Sequence, residues 1–287
     1  MQNGEKKFDI IIISILAAVT LAAIASVVWR VYQRQNSEAE FDRLAEQTDV
    51  TPDAAAADLT QEPAVTEEPE EIAEPEQRVY PTLSELGIPV PEKKADIAAM
   101  QADSNEDIYA WIYIPDTKID YPVLQNANEL DYYLNTNLDG SKGYPGCIYT
   151  QMMNAKDWTD KNTVLYGHNM RNGTMFGSLH LYEDSVFFDE HSYVYIYTQE
   201  ELLAYQVFAA YEYSDQHLLL FHDTSTPENF QEYLDLIFEN DGLNNNFDTE
   251  VKLDGSDRII TLSTCINNKP DRRWLVQAVL VAEGEGD

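Results

Sequence analysis

The sequence predicts a mainly β domain, and three observations carry that prediction. Eight short apolar runs alternate with polar residues between Tyr109 and Val281, and Gly, Pro, Asn or Asp separate them. Within this region only Asn128–Leu134 and Pro227–Glu239 read as helical. Aromatic residues make up 11% of the chain, including 18 tyrosines, which is enough for a well-packed core. Eight strands with turn signals between them fit a closed barrel or a sandwich.

The chain of 287 residues opens with a short segment, 1–9, that carries Lys6 and Lys7. An uncharged apolar run follows from Ile10 to Trp29, and a helix of about 20 residues spans a bilayer. Ala23-Ile24-Ala25 resembles a signal-peptidase site. The run, however, exceeds the apolar core of a signal peptide, roughly 7–15 residues, so an uncleaved transmembrane anchor over 10–29 is expected. Basic residues flank the run evenly (Lys6 and Lys7 before it, Arg30 and Arg34 after it), so they do not orient it. The short N-terminus and the long acidic remainder suggest N-terminus inside, domain outside. Residues 30–79 are dominated by Glu, Ala, Pro and Thr. From Ser37 to Gln77 they offer too little apolar surface to offset chain entropy, so a disordered, charge-extended stalk is expected.

The folded domain is expected over 80–287. A first helix runs from Pro91 to about Asn105, with Ile97, Ala98 and Met100 on one face. The strands are Tyr109–Ile114, Ile119–Gln125, Gly146–Thr150, Thr163–Tyr166, Tyr193–Thr198, Leu202–Tyr213, Arg258–Thr264 and Trp274–Val281. Asn128–Leu134 reads as one short turn. Pro227–Glu239 is the stronger helix, because Phe230, Tyr233, Leu234 and Ile237 fall at i, i+3, i+4 and i+7. Thr226 is a suitable N-cap, with proline at the first helical position.

Charge excludes one class of function. With 18 Lys and Arg against 51 Asp and Glu, the net charge of −33 argues against nucleic acid as a partner. The only cysteines are Cys147 and Cys265, with no CxxC and no His/Cys cluster at metal-ligand spacing. A disulfide between them is the plain alternative to a reactive thiol. Cys147 reads as a small buried strand residue.

The stretch Arg258–Leu280 is the most informative. It holds two apolar runs around a loop rich in Asn, Lys, Pro and Asp, with Cys265 at the end of one run and Arg272-Arg273 at the root of the next. Fixed positive charge beside a cysteine stabilises its thiolate, which is the nucleophilic form. Such a nucleophile needs a base, usually histidine. His180, His191, His217 and His222 read as packed or surface residues. His168 differs, because it follows a strand and Gly167 and precedes a polar loop, where site residues collect. Either Arg272 or Arg273 could hold a developing oxyanion if the second strand folds back beside the first.

These residues resemble the sortase family. Leu262-Ser263-Thr264-Cys265, with Arg273 eight residues on opening Arg-Trp-Leu-Val-Gln-Ala, resembles the sortase signature, and Tyr166-Gly167-His168-Asn169-Met170 resembles its histidine motif. Asp107–Ile114 and Thr117–Val123 resemble the family's opening strands. Asp131-Tyr132-Tyr133-Leu134, Thr174–Leu179 and the helix Pro227–Glu239 between the sixth and seventh strands resemble class B members. The likeness covers about Tyr80 to Val281.

The resemblance implies a closed eight-stranded β-barrel and a membrane-anchored cysteine transpeptidase of the Gram-positive cell surface, with the catalytic domain extracellular. It assigns Cys265 as nucleophile, His168 as general acid/base and Arg273 as oxyanion or substrate-backbone stabiliser, with Arg272 a neighbouring rival. Ser263, Leu134 and Tyr233 fall where class B enzymes line the sorting-signal groove. Ile266 departs from the polar or acidic residue expected after the cysteine. The implied partners are surface proteins bearing a C-terminal sorting signal, and an amine of peptidoglycan or of a pilin. No metal or organic cofactor is implied. A cysteine hydrolase using the same site and a non-catalytic tethered binding module are the competing readings.

Overall fold

A computed structural model of the chain describes residues 24–29, 31–32, 35–48 and 78–285. Its sheet contains nine strands: β1 (Ile108–Tyr113), β2 (Asp120–Leu124), β3 (Ile148–Thr150), β4 (Asn162–Tyr166), β5 (Tyr193–Tyr197), β6 (Glu201–Ser214), β7 (Asn246–Phe247), β8 (Ile259–Ile266) and β9 (Lys269–Glu285). The order β5-β1-β2-β3-β4-β8-β9-β6 closes on itself through β5–β6 pairing, so the ring has the expected eight strands. Two-residue β7 is an appendage on the edge of β6. The pairs β2–β3 and β4–β8 are parallel, and the other pairings are antiparallel.

Side-chain alternation builds two cores. Leu165, Ile260, Leu262 and Val276 belong to a large cluster that also holds Trp111 and Tyr205. Their chain neighbours Val164, Ile259 and Leu275 belong to a second cluster with Phe208, Phe230 and Leu234. Strands covered on both faces read as nearly continuous apolar runs, which is the pattern of β4, β8 and β9. The helix that covers the second face is Pro227–Ile237.

Among the described residues, the helices beside the barrel are α1 (residues 35–48), α2 (Leu83–Leu86), α3 (Ile97–Asp103), α4 (Ser185–Glu190), α5 (Leu218–Phe221) and α6 (Pro227–Ile237). The helix expected from Pro91 starts only at Ile97, because the Asp96 side chain accepts from Ala99 N–H and caps it there. Helix α6 lies where expected, capped by Thr226 and opened by Pro227. The turn expected at Asn128–Leu134 narrows to a 3-10 turn, Tyr132–Leu134. A longer 3-10 segment, Phe176–Glu183, had not been expected. Phe176, Leu179 and Tyr182 are fully buried at steps of three, the period of a 3-10 helix rather than of an α-helix.

The disordered stalk needs a correction at its start. Residues 35–48 are helical, and Ser37, Phe41, Leu44 and Thr48 are buried, all on one helical face. Phe41 meets the Tyr121 ring edge-on at 5.3 Å. Thr48 is tied on both sides: its carbonyl accepts from Lys94 N–H at 2.6 Å, and its hydroxyl accepts from Lys93 Nζ at 3.0 Å. The rest of the stretch expected to be disordered, 49–77, lies outside the described residues. So does most of the expected anchor, of which only 24–29 are described, as helix. Among the described residues no helix is long and apolar enough to cross a membrane.

Candidate active site

Strands β8 and β9 form a continuous hairpin. Cys265 therefore sits inside a ladder, whereas the sequence reading put it at a strand mouth before a loose loop. Ser263 pairs with Leu275, Thr264 with Trp274 and Cys265 with Arg273. Directly opposed residues in an antiparallel pair project to the same side of the sheet. The turn closes at Ile266 and Lys269 around Asn268, whose φ of 62° is left-handed. Between the two rungs Pro270, Asp271 and Arg272 bulge out of β9. Arg273 Nη1 donates to the Pro270 carbonyl at 3.0 Å and to the Arg272 carbonyl at 2.9 Å, which tethers the guanidinium to the bulge. Arg272 points to the other face, where its Nε lies 3.6 Å from Glu212 Oε1.

His168 comes from the end of β4, the parallel neighbour of β8, where Tyr166 pairs with Ser263. Gly167 then bonds through its N–H to the Ser263 carbonyl, and its own carbonyl accepts from Thr264 Oγ1. In the sequence Gly167 marks only the end of the strand before His168. The structure gives a steric reason for it, since a Cβ there would lie 2.5 Å from Ile148 Cδ1 and 2.9 Å from the Phe176 ring. His168 Nε2 lies 2.7 Å from the Leu134 carbonyl. A carbonyl only accepts, so this nitrogen carries a proton and Nδ1 is left for chemistry. Burial pulls the imidazole below its ordinary range, and the Leu134 bond opposes that shift in part. The Tyr144 ring lies over it, with centroids 4.6 Å apart.

Cys265, His168 and Arg273 line one cleft of about 250 Å³. Cys265 is exposed and Cys147 is buried, and both thiols are free. Burial raises the Cys147 thiol well above its usual range, which suits an inert packing residue. Two of the three residues expected to contact substrate, Leu134 and Ser263, line the same cleft. Tyr233, the third, does not line it. It belongs to the apolar face of α6, is buried, and accepts from Gln277 Nε2 at 2.8 Å in the core beneath the cleft. Its i+3 position on the helix, which made it visible in the sequence, also turns it inward.

Sequence reasoning missed the far wall of the cleft. Asp131 Oδ1 accepts from Tyr149 OH and Gln151 Nε2, and Gln151 Oε1 accepts from His217 Nε2 at 2.7 Å. His217 Nδ1 and Tyr166 OH are buried there without a partner among the described residues. A bound ligand would satisfy them. The proximity of His217 to β3 is a long-range property, and nothing in its local sequence signals it. His180 was also passed over, and it proves to touch the Cys265 backbone.

A thiol, an imidazole and a guanidinium gathered at neighbouring barrel strands form a site able to carry an acyl group on sulfur. That is the class of site found in cysteine acyltransferases. Residues 112–281 match the sortase domain, and the chain belongs to the sortase family, whose members are cysteine transpeptidases of the cell surface. It is 38% identical over 186 residues to sortase B of Listeria monocytogenes, covering 62% of this chain and 72% of that protein. Among solved structures, Clostridium perfringens sortase B superposes with a TM-score of 0.58 at 30% identity, over 64% of this chain and 98% of that one. A Staphylococcus aureus sortase B–substrate complex gives a TM-score of 0.58 at 27% identity, over 65% and 84%. The likeness to class B members, expected from Asp131–Leu134 and the α6 insertion, thus agrees with the relatives found.

Proposed function

We propose that this chain is a membrane-anchored class B transpeptidase that cleaves a C-terminal sorting signal after threonine and passes the acyl group to an amine of peptidoglycan or of a pilin. The observation that carries this reading is the Cys265–Arg273 rung, with His168 lining the same cleft. Cys265 passes its thiol proton to His168 Nδ1, and the resulting thiolate attacks the threonine carbonyl, forming a C–S bond. The Arg273 guanidinium stabilises the oxyanion, which in a site shielded from water is worth several kcal/mol. His168 donates a proton to the departing amine as the C–N bond breaks. The acceptor amine then attacks the thioester and loses its proton to His168, and thiolate leaves. Arg272 takes no part in this scheme, because it faces Glu212.

The anchor is the apolar run Ile10–Trp29, with the N-terminus inside and the catalytic domain outside. In its described part, Ile24, Val27, Val28 and Trp29 expose large apolar side chains on a helix, as a segment meant for lipid would. Cys265 is also exposed, so water competes with the amine and hydrolysis is the side reaction to measure. The test is to incubate a soluble chain starting before residue 35 with LPxTG-like and NPxTN-like peptides. Cleavage after threonine by the wild type and none by Cys265→Ala is expected. Retained cleavage by Cys265→Ala would remove Cys265 from the chemistry.

A further inference from the structure

Strand β4 ends at Tyr166, opposite Ser263, so β8 outruns its neighbour and the Cys265 carbonyl has no strand partner on that side. Two side chains take over. Asn169 Nδ2 donates to the Cys265 carbonyl at 2.8 Å, and His180 Nε2 lies 3.1 Å from the same oxygen. Asn169 and His180 also touch each other, Nδ2 to Nε2, at 2.9 Å. The His180 ring is held from behind, with Nδ1 2.5 Å from Glu183 Oε1. Its face stacks on Trp274, centroids 6.0 Å apart and planes at 24°, and Trp274 Nε1 in turn donates to the Leu179 carbonyl at 3.0 Å. Besides Glu183, this histidine therefore meets Cys265 itself, the chain neighbour of His168 and the chain neighbour of Arg273.

We infer that His180, oriented by Glu183, is a positioning residue for the nucleophile. Its Nε2 accepts from Asn169 Nδ2, and the amide so held donates its other N–H to the Cys265 carbonyl, a clamp that fixes the backbone from which the thiol projects. An orphaned carbonyl at a strand end is free to rotate its peptide plane, and a rotation there swings Sγ away from the imidazole and the guanidinium. The clamp removes that freedom through hydrogen bonds that reach across three segments of chain: the loop after β4, the 3-10 segment Phe176–Glu183, and β8. A carboxylate behind an imidazole sets its tautomer and ring angle, which is how a buried carboxylate serves a histidine elsewhere. In this arrangement the oriented histidine acts on the nucleophile's main chain and exchanges no proton with substrate.

The inference rests on the transpeptidase reading, and the experiment separates the two. Steady-state kinetics of His180→Ala on a sorting peptide should show kcat reduced about tenfold or more, the scale set by misplacing a reacting atom. KM for the peptide should change little, because the cleft walls are untouched. His180→Gln keeps a side-chain acceptor for Asn169 Nδ2 and should recover most of kcat, a rescue that a general packing defect would not show. In parallel, the rate of Cys265 alkylation by iodoacetamide should fall in His180→Ala. That readout needs no peptide and is insensitive to buried Cys147. If the wild type alkylates but processes no sorting peptide, the transpeptidase reading fails, while the alkylation comparison still decides on the clamp. Wild-type kcat and alkylation rate in folded His180→Ala overturn the inference. Should that variant fail to fold, Glu183→Gln replaces it, with a partial loss of both rates expected and unchanged rates overturning the inference.

Discussion

Cys265 and Arg273 face each other across one rung, and that rung separates two arginines adjacent in the chain. The residue pattern by itself left both guanidiniums open, since the expected loop hid a register that only pairing defines, and it was the family resemblance that favoured Arg273. Arg273→Ala should lower kcat/KM by about a hundredfold or more, the usual cost of losing an oxyanion donor, with Arg272→Ala within a few-fold of wild type. Steady-state kinetics on one peptide would show it, and the reverse ranking would contradict the assignment. His168 yields a prediction in pH. Burial lowers its folded-state pKa below the ordinary value of about 6.5. Above that value the imidazole is neutral whether the chain is folded or unfolded. As pH falls through it, the unfolded chain takes up the proton first, so stability declines until the folded-state pKa has been passed. His168→Gln should lose less stability than wild type between pH 7.5 and 5, as measured by urea unfolding; an equal or greater loss would contradict the assigned direction. His168 and Cys265 were legible because each sits in a motif at the end of an apolar run. His180 and His217 were not, because their partners lie 85 and 66 residues away in the chain.

Elements with a clean period were legible, and those whose signal is diluted or irregular were not. Eight runs of period two gave the eight ring strands within a few residues, and α6 appeared from its i, i+3, i+4, i+7 stripe and its cap. The segment Phe176–Glu183 went unseen because its buried residues recur every three positions. Helix α1 was lost for a different reason. Its buried face, Ser37, Phe41, Leu44 and Thr48, is helical in spacing, but it precedes a long Pro- and Glu-rich stretch that dominates the average composition. Phe41→Ala tests the docking. It should cost up to about 3 kcal/mol of unfolding free energy, the usual toll of emptying a buried aromatic site. Unchanged urea unfolding would mean that α1 does not stabilise the barrel. Tyr121, which Phe41 meets, also accepts from Met175 N–H at 3.0 Å, next to the loop that carries Asn169. A domain cut at Tyr80, where the sequence places its edge, would lack this helix.

At the scale of the whole molecule, barrel closure brings the ends of β4, β8 and β9 together, which neither the strand pattern nor the spacing of Cys265, His168 and Arg273 could specify. Charge and composition still bounded the outcome. A net charge of −33 argues against nucleic acid as a partner, and the apolar run at 10–29 is the feature from which a membrane anchor is expected. A barrel with an exposed thiol can either transfer or hydrolyse its acyl group. Transfer wins when the amine is held in place, through effective concentration. The most direct test is mass spectrometry of the enzyme with a cleavable sorting peptide, with and without an added nucleophilic amine. Acyl-enzyme mass on Cys265 that converts to amide-linked product when the amine is supplied is the predicted result. Free acid as the sole product at saturating amine, or acylation that persists in Cys265→Ala, would contradict it.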